Sequence, residues 1–134
     1  MKSFKQYLWE MQNQNDIPPE HAMKSPLPYA EYPYHKFIPK KASESDSLIT
    51  MVNTAQRNAK TFDVPISSLV TDVDAIDRRM SGKSSGPIYV EKIDNVMHVR
   101  NGNHRAAAAF LRGDSHIKAT VADMTHIANR EIKK

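Results

Sequence analysis

From Glu44 to about Lys60, Leu48, Met51, Val52, Ala55 and Ala59 recur at helical spacing with polar residues between them, which predicts an amphipathic helix. Ser43 and Asp46 stand at its start in the spacing of a capping box, with Asp replacing the usual Glu or Gln. Phe62-Asp63-Val64-Pro65-Ile66 predicts a short strand, and Pro65 places it at a sheet edge or at the strand's start. Asp72 to Met80 reads as a second helix, with Val73, Ile76 and Met80 on one face. Further on, Ile88-Tyr89-Val90 and Val96-Met97-His98-Val99 flank Asp94-Asn95, two residue types that tolerate positive φ. This is the pattern of a β-hairpin with a two-residue turn. Asn101-Gly102-Asn103-His104-Arg105 then opens into Ala106-Ala107-Ala108-Ala109-Phe110-Leu111, a run of strong helix formers that Gly113 is placed to end. Ile117, Ala119 and Val121 alternate as a closing strand, and Met124 to Lys134 predicts a short helix.

The amino-terminal third is patterned differently. Phe4, Leu8 and Met11, with Tyr7 beside them, mark a short amphipathic helix, which either packs on its own domain or docks a partner. Six of the eight prolines lie between Ile17 and Lys41, interleaved with Tyr29, Tyr32, Tyr34 and Phe37. Such proline density forbids helix and disfavours central strands. The segment should be an extended arm adding little to the core. Its aromatics either pin it to the domain or, with His35, Lys36, Lys40 and Lys41, stack on bases. The division expected is 1–42 as helix plus arm and 43–134 as a small α/β (α+β) domain with a mixed sheet packed by helices.

Composition narrows the classes. Lys and Arg number 19 against 15 Asp and Glu, a formal charge of +4 that is compatible with nucleotide or nucleic acid. Cysteine is absent, which removes disulfides, thiolate metal sites and Cys nucleophiles. No apolar run approaches the roughly 20 residues needed to span a bilayer, and polar residues interrupt any signal-like core after Met1-Lys2-Ser3-Phe4-Lys5. The expectation is a soluble, cytoplasmic protein without a membrane partner.

Candidate chemistry centres on the turn at 101–105. The first N–H groups of a helix lack intrahelical acceptors and carry the positive end of the macrodipole. Gly102 permits close approach, and His104 and Arg105 add donors, which makes an anion seat. Gly82-Lys83-Ser84 invites comparison with a P-loop but fails it. The required glycine position is occupied by Asp77, and Pro87 and a strand follow instead of a helix. His98 reads as a solvated strand histidine, and His116 and His126 have no metal-ligand spacing. Asp114 belongs to the turn after Gly113.

The order of strand, helix, Gly-Pro-Ile-Tyr-Val strand, hairpin, Asn-Gly-Asn-His-Arg turn, alanine-rich helix and closing strand, from about Val64 to Asp123, resembles the ParB/sulfiredoxin superfamily. The resemblance implies that Asn101, Gly102, Asn103, His104 and Arg105 face the phosphates of ATP or CTP with Mg²⁺, and that Asp72, Asp74 and His104 supply catalytic groups. Asn103 stands where sulfiredoxins have cysteine, so sulfinic acid reduction is excluded. Only about eleven residues follow Asp123, too few for the helical DNA-reading domain of partition proteins. Asn101 replaces the aspartate of the free-serine kinases, whose small-molecule kinase activity is a lesser alternative. The first eight residues are similar to the amino termini of some tailed-phage virion-associated proteins, which would place the chain in a host cytoplasm or a virion.

Two function classes follow. One is a nucleotide- or DNA-directed phosphohydrolase, as the superfamily's "ParB-like nuclease" label implies. The other is a non-catalytic module that binds nucleotide or DNA and docks a protein partner through residues 1–41. A carboxylate across the site from Arg105 would favour the first, and its absence the second.

Overall fold

A computed structural model describes residues 17–39, 45–79 and 86–129 of the chain. The expected amino-terminal helix, the capping box at Ser43, the Gly82-Lys83-Ser84 loop and the end of the expected carboxy-terminal helix lie outside the described residues. Strands are β1 (Ala22–Lys24), β2 (Lys60–Pro65), β3 (Leu69–Val70), β4 (Ala75–Asp77), β5 (Ile88–Ile93), β6 (Val96–Asn101) and β7 (His116–Asp123). Helices are α1 (Ser45–Arg57), α2 (Asn103–Leu111) and α3 (Thr125–Ala128), with short 3-10 turns at Tyr34–Phe37 and Ile66–Ser68.

Five strands form one mixed sheet in the order β2-β7-β5-β6-β3, and β1 pairs with β4 in a small second sheet. The β5–β6 and β2–β7 pairs are antiparallel, whereas β5–β7 and β3–β6 are parallel. The hairpin forms as the sequence predicts, with Asp94 and Asn95 at φ 51° and 69°, the conformation a two-residue turn of this kind requires. β2 lies at the sheet edge, where Pro65, at the strand's end, removes no ladder donor from a neighbour on its open side.

Alternation assigns the two faces. Ile88 and Val90 of β5, Val99 of β6 and Ala119 of β7 pack against Ala106 and Ala109 of α2. Burying each such Ile or Val side chain contributes about 1.5–3 kcal/mol, and the alanines let the helix backbone lie close to the sheet. On the opposite face, Ile93 and Ala122 pack with Leu48 of α1, with Met124 and Ile127, and with Tyr32 of the arm. One irregularity breaks the alternation. Tyr89 opposes Asn101 and Val90 opposes Val99, so Arg100 is an extra residue in β6, a β-bulge.

Two expectations are corrected. Asp72–Met80 is not a helix: Ala75–Asp77 is extended and pairs with Ala22–Lys24. Val73 and Ile76 are buried as the pattern requires, but against Met23 and Ala107. A strand partner some fifty residues upstream overrides the local periodicity, which a three-residue spacing of β-branched side chains does not discriminate. The second concerns the arm: its aromatics pin it to the domain, one of the two readings of the sequence, but the expectation that it adds little to the core does not hold. It packs onto the domain through Leu27 and Tyr32, both buried, with Tyr34 and Phe37 beside them, so it contributes to both large clusters of the core. Among the described residues no helix is long and apolar enough to cross a membrane.

Candidate functional site

The α2 turn begins at Gly102, which sits at φ 97° and ψ 27° in the left-handed region. A Cβ there would meet Ile88 Cγ2 at 2.6 Å, so glycine is required both by the backbone conformation and by the packing of the turn on β5. Ala106 N–H donates to the Gly102 carbonyl at 2.9 Å, the first helical bond. The N-cap residue of this nine-residue helix is a glycine and so has no side chain with which to cap it. The first-turn N–H groups of Asn103, His104 and Arg105 therefore precede any intrahelical acceptor and stand at the positive end of the dipole.

The five turn residues do not act alike. Asn103 is buried, and its Oδ1 accepts the Thr71 hydroxyl at 2.7 Å, so its side chain faces inward. His104 Nε2 accepts the backbone N–H of Asp77 at 2.9 Å, which ties α2 to β4. A neutral imidazole in that role carries its proton on Nδ1. Burial pushes the His104 pKa down, against a smaller upward pull from Asp77. Arg105 Nη1 donates to the carbonyls of Gly86 and Pro87 at 2.9 and 3.1 Å, which clamps the entry to β5 against the helix start. Asp77 itself is held by Arg79, whose hydrogen bonds push its carboxyl down to about 2.

The expected carboxylates lie in different settings. Asp72 Oδ2 accepts Arg100 Nη1 at 3.2 Å, with both side chains almost fully buried. Asp74 is exposed, and its carbonyl accepts the Ser25 N–H. The two do not converge as a carboxylate pair, and among the described residues no group of three His, Asp or Glu is placed to hold a metal ion. His116 and His126 are exposed, and Asp114 pairs with Arg112 at 2.9 Å in the turn after α2.

A second cluster was not anticipated. Arg100 lies over the Tyr32 ring, its guanidinium carbon 3.8 Å from the centroid. It also donates to the Tyr34 hydroxyl, and its Nε is 3.7 Å from Glu91 Oε1. Tyr32 donates its hydroxyl to Glu91 Oε1, and Tyr89 donates to Glu91 Oε2 at 2.7 Å. His98 closes the group edge-on to Tyr32, with ring centroids 5.3 Å apart. It is 5 % exposed, which corrects the expectation of a solvated strand histidine. Burial and the neighbouring Arg100 push its pKa down, with Asp72 opposing. Burial, followed by Glu91, drives the Tyr32 hydroxyl pKa upward, so the phenol stays protonated. Desolvation penalises the Arg100 charge, but Asp72 and the two tyrosines outweigh it. In the sequence, Glu91 in β5 and Arg100 in β6 mark this group as charged residues within the hairpin strands.

Compared with known family models, curated proteins and solved structures, the chain matches none.

Proposed function

We propose that this chain is a phosphate-binding domain, whose ligand is the phosphate of a nucleotide or of nucleic acid seated at the N-terminus of α2. The observation that carries this reading is the helix start behind the left-handed Gly102, with the Arg105 guanidinium beside it. Backbone N–H groups at a helix start, a helix dipole and a guanidinium are the donors that a phosphate monoester or diester accepts from. His104 Nδ1–H is a further neutral donor on the same turn. The resemblance of Asn101–Arg105 to the phosphate turn of the ParB/sulfiredoxin superfamily points the same way, with ATP or CTP as first ligands to try.

Binding has more support than phosphohydrolysis, DNA nicking or small-molecule phosphorylation. A general base needs an available lone pair within reach of the attacking group. His104 Nε2 already accepts a backbone N–H, and the Asp72 carboxylate is committed to Arg100. Asp74 is an exposed carboxylate.

Titration with inorganic phosphate, ATP and CTP, each with and without Mg²⁺, and with short DNA tests the reading. Arg105→Ala should remove one charge-assisted contact, weakening binding roughly 10- to 150-fold. Arg105→Lys should recover only part, since an ammonium lacks the planar fork. Affinity that is unchanged for every probe, with the fold intact, would reduce the turn to a helix start.

A further inference from the structure

We infer that the proline-rich segment is a strap that sets the geometry of the α2 turn, and that Thr71 is the positioning residue through which it acts. The ligand it would position for is the phosphate proposed above, and on that point alone the inference rests on that reading.

Thr71 is 1 % exposed and every polar group it owns is used. Its N–H donates to the Pro28 carbonyl at 3.0 Å, and its carbonyl accepts the Ala30 N–H at 2.9 Å, so the strap clasps it through the backbone on both sides of Tyr29. Its hydroxyl donates to Asn103 Oδ1 at 2.7 Å and accepts the Val73 N–H at 3.1 Å. One residue thus joins the strap to the first residue of α2. A second connection holds the other flank of the turn. Arg100, two residues before Gly102, is bound by the Tyr34 hydroxyl from the strap and by Asp72, the neighbour of Thr71. Asn101 and Gly102 therefore lie between two ends, each fastened to residues 28–34 or to the segment those residues clasp.

The consequence is geometric. A phosphate oxygen accepts well only from N–H groups aimed within a narrow cone, and hydrogen bonds weaken steeply as the angle opens. The direction of the first-turn N–H groups is fixed by where Asn103 sits, and Asn103 is held by Thr71. Local packing of α2 on β5 fixes the helix axis, while the strap fixes its start.

Isotope-labelled full-length protein would be compared as wild type, Thr71→Val, Thr71→Ser and Tyr34→Phe. Backbone amide shifts and hydrogen exchange would be read at Gly102–Arg105, together with affinity for inorganic phosphate and ATP. Thr71→Val should shift the Asn103–Arg105 amides, speed their exchange and weaken phosphate binding roughly 3- to 10-fold, about the worth of one hydrogen bond. Thr71→Ser should restore all three readouts, because it keeps the hydroxyl. Tyr34→Phe, which removes only an oxygen, should move the same amides less, and it decides the matter if Thr71→Val does not fold. Changes confined to residues near 71–73, with the turn amides unmoved, would overturn the strap's role. If the turn amides respond as expected but wild type binds neither probe, the positioning role stands and the phosphate reading falls.

Discussion

The two faces of the central sheet differ in what accompanies their apolar packing. Towards α2 the sheet presents Ile88, Val90, Val99 and Ala119 to alanines, a contact made of shape alone. Towards the arm, beside the apolar contacts of Ile93 and Ala122, it presents Glu91, His98 and Arg100 to Tyr32, Tyr34 and Asp72, charges and hydroxyls withdrawn from water. The apolar face tolerates small shifts at small cost, because dispersion and burial are non-directional. The polar face does not, because each buried charge is affordable only while its partners stay in place. The contact that depends on exact position is therefore the one on the far side of the sheet from α2.

The sharpest way to break this contrast is Arg100→Ala. It leaves the side chains of Asp72 and Glu91 buried without their cation, and should cost about 3–5 kcal/mol of unfolding free energy. Urea denaturation measures it, and a loss below about 1 kcal/mol would mean that water enters and replaces the guanidinium. On the apolar face, Gly102→Ala should cost less, about 2–4 kcal/mol, the sum of left-handed backbone strain and overpacking against Ile88. If Arg100→Ala proves the milder of the two, the contrast between faces is inverted. The smallest effect concerns pH. His98 and His104 both have folded pKa values below the ordinary 6.5, so their neutral forms are favoured by folding. The stability they contribute is complete above about 6.5 and is lost as pH falls through the lowered folded values. The denaturation midpoint should therefore drop between pH 7.5 and pH 5, and drop less in His98→Asn; equal drops would remove His98 from the account.

The apolar packing was legible in the sequence and the buried polar cluster was not, for a physical reason. The hairpin, α1, α2 and β7 are each announced within a dozen residues, by the Asp94-Asn95 turn, the Leu48–Ala59 stripe, the alanine run and the Ile117–Val121 alternation. The Ala75–Asp77 strand depends on Ala22–Lys24, and the arm's attachment depends on Tyr32 meeting Glu91, 59 positions away. Local periodicity carries no record of such partners. At the turn, the sequence marked Gly102 and Arg105 through residue type, while the inward roles of Asn103 and His104 depend on Thr71 and Asp77, which nothing nearby identifies.

The strand order has a consequence for how the chain reaches this state. β7 is the last strand in sequence, yet it lies between β2 and β5, pairing with Lys60–Pro65 on one side and Ile88–Lys92 on the other. During synthesis, β2 must wait without its neighbour until residues near 123 have left the ribosome, and the hairpin waits with one edge open. Contacts of such long sequence separation slow folding and make it a late, collective event. A nascent chain stopped just before His116 would hold α2 and the hairpin but leave two strand edges unpaired, the form in which this protein should be most prone to associate with itself.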